Sequence, residues 1–236
     1  MHRLPPANVN KGNTVHRMFF VGVCTLAFAS VARNAEALDE PQERLIAEEA
    51  MRLQQTNGAA SRTGDVLTVR ITNGKTLRWR NENQCGDDGL PVDTAHCVKY
   101  IYVDHVVRSH GFVILGLGCE TFGYEWVDDA TGTRTQLPDE PHPSPSANRI
   151  AVVSESEDGG YNGIQVWVRR NGSLVLEWHH EPEAREYALY EFKRWKDDDT
   201  VLMSVTTGVG DGLKDLPARA VRHPQWKYEG PVGRKY

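Results

Sequence analysis

His179-His180-Glu181, with His105 and His110, supplies side chains of the kind that hold transition metals. Their spacing argues against one shared ion. On a strand, neighbouring residues point to opposite faces, so His179 and His180 cannot easily meet one metal, and no His-Glu-x-x-His run is present. Asp87, Asp88 and Asp93 offer oxygen ligands, yet they do not follow the calcium-loop spacing. A solvated acidic loop is the simpler reading, and Asp197-Asp198-Asp199 reads as a turn in the same way. Ser154 and Ser204 fall at predicted strand ends with no neighbouring base, and no Gly-x-Ser-x-Gly elbow exists. Gly208-Val209-Gly210-Asp211-Gly212 lacks the Lys and the following helix of a phosphate loop. No catalytic, cofactor-binding or metal-binding residue is therefore nominated, and no cofactor is expected.

The N-terminus points to export. Residues 1–17 are polar with basic Arg3, Lys11 and Arg17, and an uncharged apolar run follows from Met18 to Ala29. Ala35-Glu36-Ala37 supplies a cleavage site, with Ser30-Val31-Ala32 as an earlier option. Basic flank, short apolar core and small-residue exit define a signal peptide over residues 1–37, the run being shorter than the roughly 20 residues of a membrane-spanning helix. Its loss removes four basic residues (Arg3, Lys11, Arg17, Arg33) and one acid (Glu36), taking the formal charge from −5 to −8. An acidic exported chain with no basic stripe argues against nucleic acid and against anionic membranes as partners. No span is expected after cleavage. Export also sets an oxidising compartment. Cys85 and Cys97 bracket a short Gly- and Asp-rich loop and form the expected disulfide, worth about 3 kcal/mol in the chain-entropy account. Cys119 is left over as a buried thiol. The expected destination is periplasm or full secretion.

The elements that would position any site are mostly strands. One helix is signalled within residues 38–58: Asp39 caps it, Pro41 suits its first turn, and Leu45, Ile46, Ala50 and Leu53 share a face. Asn57-Gly58 ends it, and Gly58 to Ser61 reads as a linker. A single β-rich domain is then expected over residues 59–236. Alternating runs on either side of Asn73-Gly74, Thr131-Gly132 and Asn171-Gly172 predict three hairpins. Further strands are expected at 97–103, 111–117, 187–195 and 200–205. The six tryptophans, Trp79, Trp126, Trp167, Trp178, Trp195 and Trp226, punctuate these strands and are expected in the core.

One stretch hints at a repeat. Ser144-Pro145-Ser146-Ala147 makes a tight turn straight before the apolar run Ile150 to Val153, and Asp197-Asp198-Asp199 precedes Val201 to Met203 in the same way. Each follows a Gly-turned hairpin. Over about residues 120–206 this pattern resembles the blades of TolB-type and WD40-type β-propellers, whose inner strands follow a Ser-Pro-Asp-Gly-like turn. The last two positions, Ser146 and Ala147, depart from that turn. The close spacing of short strands gives an all-β fold with one N-terminal helix, and the resemblance implies propeller-like blades, with a sandwich as the alternative. About three blade-like sheets are expected.

With no catalytic constellation, the expectation is an exported, non-enzymatic binding protein that presents a rigid β scaffold to a macromolecular partner. A protein partner is favoured, and an inhibitor or immunity-type protein of the cell envelope is one concrete form. The alternatives are an envelope-polymer hydrolase using carboxylates from distant loops, and a structural subunit of an envelope complex contacting its neighbours through the helix.

Overall fold

The computed structural model describes residues 44, 47–83, 97–118, 122–156, 160–183, 186–208, 212–231 and 234–235. The expected signal peptide, Leu45 and Ile46, Asp87, Asp88 and Asp93, Cys85 and Cys119 lie outside them. The body from Leu45 onward is one compact unit. Among the described residues it is β apart from one helix, α1 (residues 47–54), and 3-10 turns at Val107–Ser109 and at Gly212.

Four antiparallel sheets follow one another along the chain. The first holds β1 (Ala60–Thr63), β2 (Val66–Arg70) and β3 (Thr76–Arg80). The second holds β4 (Glu82–Asn83), β5 (Cys97–Val106), β6 (Gly111–Leu117), β7 (Phe122–Asp128) and β8 (Arg134–Leu137). The third holds β9 (Pro141–Pro143), β10 (Arg149–Ser154), β11 (Gly163–Arg170) and β12 (Ser173–His180). The fourth holds β13 (Glu186–Asp197), β14 (Thr200–Thr207), β15 (Lys214–Arg222), β16 (Trp226–Glu229) and β17 (Arg234–Lys235). All but one neighbour pairing join strands adjacent in sequence; the exception sets β17 beside β13.

The core sits between successive sheets. Leu67, Val69, Ile71, Leu77 and Trp79 of the first sheet's side meet Tyr102, Phe112, Ile114 and Val127 of the second. Val113, Trp126 and Leu137 then meet Ile150, Val152 and Leu174 of the third. Ala151, Val153, Ile164 and Val166 in turn meet Ala188, Tyr190, Val201, Met203 and Val205 of the fourth. Alternate residues of β6 and β10 thus serve different layers, which is why both read as unbroken apolar runs. The first and fourth sheets bury one face, and β2, β3 and β14 alternate accordingly.

The three expected hairpins form. Gly74, Gly132 and Gly172 all have positive φ, and Asn171 joins Gly172 in the left-handed region, as a two-residue hairpin turn requires. Other expectations change. Four sheets are present rather than three, and Gly58 to Ser61 is not simply a linker, because Ala60 and Ser61 open β1. The strands from residue 214 onward lie beyond the last strand read from the sequence, and one of them, β15, contains Pro217. Pro217 is tolerated because β16 pairs only with residues Arg219 to Arg222, which leaves β15 an edge at the proline. In α1, Ala50 is exposed while Leu53 packs on the core. The buried residue of that helix is a charge, Glu49.

Candidate functional site

The four histidines of metal-ligand type separate into two places. His105 and His110 both approach Asp129, at 3.3 and 3.4 Å. His179 is exposed on β12, and its neighbour His180 turns inward to stack on Tyr228 and meet the Tyr190 hydroxyl. Among the described residues no group of three or more His, Cys, Asp or Glu side chains is arranged to hold a metal ion. Ser204 lies mid-strand rather than at a strand end and donates to Glu191 at 3.0 Å. Asp198 and Asp199 make the β13–β14 turn, as expected. Cys97 opens β5, is buried, and is disulfide-bonded.

Most buried charge is structural. Asp128 accepts from Arg169 of the third sheet at 2.6 Å, from the Thr131 hydroxyl, and from the Ala130 and Thr131 amides. Burial alone would raise its pKa; the donors outweigh that and hold the carboxyl below the usual range. Glu177 behaves alike. Burial pushes its pKa up, but Arg149 at 2.7 Å, the Trp226 indole at 3.1 Å and the nearby Arg222 bring it down. Glu49 accepts both Arg62 guanidinium contacts at 2.7 Å and the Tyr102 amide at 2.7 Å.

Two carboxyls differ. Burial raises the pKa of Asp139, with the Glu140 amide and the Ser154 hydroxyl opposing. Burial and then Asp139 raise that of Glu140. They are sequence neighbours in the short segment between β8 and β9. Tyr124 beside them is pushed upward too, by burial first and then by Glu140.

Between the first and second sheets lies a cavity of about 180 Å³. Strand register builds it. Ile114, Glu125 and Gln136 are directly opposed across β6, β7 and β8, and Tyr100, Gly116 and Gly123 form the next row on the same face. The glycine pair leaves a hollow, and Trp79 of β3 roofs it. The Trp79 indole N–H donates to Glu125, and Gln136 donates to the other Glu125 oxygen at 3.2 Å. The Arg134 guanidinium stacks on Trp79, 4.2 Å from the ring centroid, with Glu125 3.8 Å away. No sequence signal marked this site, because its residues are contributed by five strands of two sheets.

A third feature is an edge. β12 is eight residues long and pairs, among the described residues, with β11 alone. A bulge opposite Val166 and Trp167 disturbs its register. Val175 and Leu176 point to opposite faces of the strand and are 41% and 39% exposed. Compared with known proteins, the chain matches no family model and no curated protein significantly.

Proposed function

We propose that this chain is an exported binding protein that works without catalytic turnover, holding a protein partner on a rigid β scaffold. The observation that carries the reading is the β12 edge. A long strand that pairs, among the described residues, with β11 alone and exposes Val175 and Leu176 is a template for a partner's extended segment. The acidic balance of the mature chain would steer a basic partner toward it. The scaffold supports this role, because Asp128, Glu177 and Glu49 each tie two elements together. An inhibitor or immunity-type protein of the cell envelope is the concrete form, in the periplasm or secreted, with a Cys85–Cys97 bridge bracing the segment before β5.

The test uses the chain from residue 38, incubated with envelope extract. A stoichiometric complex on gel filtration, identified by mass spectrometry and lost with Leu176→Lys, is the expected result. Hydrolysis of an envelope polymer that disappears on a single substitution would overturn the reading. One observation favours that hydrolase rival: the raised pKa values of Asp139 and Glu140 suit proton donation. Loss of turnover in Asp139→Asn would then identify the enzyme.

A further inference from the structure

The cavity between the first and second sheets has a lining that the partner reading does not use. We propose that it is a carbohydrate subsite that takes one neutral sugar ring.

The cavity is kept open by residues the fold does not require. Gly116 and Gly123 face each other across β6 and β7. A Cβ at Gly116 would lie 3.6 Å from the Tyr100 ring, and one at Gly123 3.8 Å from the Leu137 carbonyl oxygen, both ordinary contacts. Neither glycine has positive φ. Alanine would therefore fit at both positions, and a larger strand-forming side chain would stabilise the sheet better than glycine does. What glycine preserves is the empty volume.

The lining selects the occupant by chemistry. Tyr100 offers the accessible apolar surface, suited to the C–H face of a ring, while Trp79, with Arg134 stacked on it, and Ile114 close the wall as buried side chains. Glu125 accepts, Arg134 donates, and the Gln136 amide can do both, suited to hydroxyls around the ring's edge. The site is neutral overall, since Glu125 and Arg134 lie 3.8 Å apart. A cationic guest would meet Arg134 already stacked on Trp79, and an anionic guest would meet Glu125. A wholly apolar guest would press hydrocarbon against that carboxylate and desolvate it. The volume is below the roughly 300–1,000 Å³ of pockets for drug-sized ligands, which limits the guest to one ring.

The test is a titration of the 15N-labelled chain from residue 38 with methyl glucoside, methyl galactoside and methyl N-acetylglucosaminide. The readout is the Trp79 indole N–H resonance, because that N–H donates to Glu125 at the cavity wall. At least one glycoside is expected to shift it saturably. In Gly116→Ala/Gly123→Ala the apparent Kd should rise at least tenfold, with the rest of the spectrum retained. Should that double variant not fold, Arg134→Ala, at the half-exposed mouth, must weaken the same titration. No saturable shift with any of the three glycosides overturns the proposal, as does a shift that survives filling of the cavity or removal of Arg134. The site is independent of the β12 edge: Leu176→Lys should leave the sugar titration unchanged, so the two readings fail separately.

Discussion

Individual residues in this protein are constrained most tightly where one side chain occupies its neighbour's space. Gly111 opens β6 opposite Asp128. An ideal Cβ there would stand 1.9 Å from the Trp126 indole, which is 1% exposed and packed between the second and third sheets. No rotamer adjustment of a buried indole absorbs that overlap. Gly111→Ala is therefore expected to cost at least about 2 kcal/mol by overpacking, read as a lower urea midpoint with an unchanged m-value. An unchanged midpoint would mean that Trp126 has room to move. Gly116→Ala supplies the contrast in the same strand, since its methyl meets only ordinary contacts.

At the scale of elements, turns do more than reverse the chain. The Asn73-Gly74 turn reaches the second sheet, with the Thr72 amide donating to the Asp129 carbonyl at 2.7 Å and the Asn73 side chain to the Ala130 carbonyl at 3.1 Å. The Thr131 hydroxyl of the next turn donates to the Gly172 carbonyl of the third sheet at 2.7 Å. The two turns that look alike in sequence touch directly: the Ser146 amide donates to Asp198 at 2.8 Å. Ala147 has φ +63°, so alanine adopts a backbone usually left to glycine there. Helix α1 is fastened by charge as well as by Leu53. Glu49→Ala takes the carboxylate from the Arg62 guanidinium, which keeps only the Tyr100 carbonyl, and from the Tyr102 amide. It is expected to cost about 3 kcal/mol and to abolish hydrogen-exchange protection over residues 49–54 before the sheets lose theirs. Equal loss of protection in helix and sheets would show that α1 and the sheets unfold as one unit.

For the whole molecule the informative variable is acidity. His142 of β9 stacks on Phe192 of β13 at 3.7 Å, and burial depresses its pKa from 6.5 to about 4. The unfolded chain takes up this proton near pH 6.5 and the folded chain only near 4. Stability contributed by the neutral ring is thus present above pH 6.5 and is lost as pH falls toward 4, by about 3 kcal/mol. Asp128 and Glu177, with depressed folded values, add their own loss at lower pH, below the ordinary values of 3.8 and 4.5. Asp139 and Glu140 act in the opposite sense, because their raised folded values let the native state bind protons first. Urea midpoints measured from pH 7 to 4 are expected to fall in the wild type and to flatten in His142→Phe, which keeps the stack on Phe192. Parallel curves for the two proteins would remove His142 as the cause. The junction between the third and fourth sheets is where this acid sensitivity resides.

The chain by itself determined its class and much of its local grammar. Period-two alternation in β2, β3 and β14, unbroken apolar runs in β6 and β10, and glycine at three hairpin turns are local consequences of which faces are buried and which residues tolerate positive φ. They were legible because each depends on residues close in sequence. Of the six tryptophans expected in the core, Trp79, Trp126, Trp195 and Trp226 are buried, while Trp167 and Trp178 are half-buried against it. Only the tertiary structure decided the rest. That Glu49 rather than Ala50 faces inward depends on Arg62 and on Tyr102, 53 positions away. Pro217 sits in a strand because β16 stops short of it. The cavity under Trp79 exists because register, a relation between strands, places Gly116 opposite Gly123 and Glu125 opposite Gln136. Periodicity shows which face of a strand turns inward, and only pairing shows what it meets there.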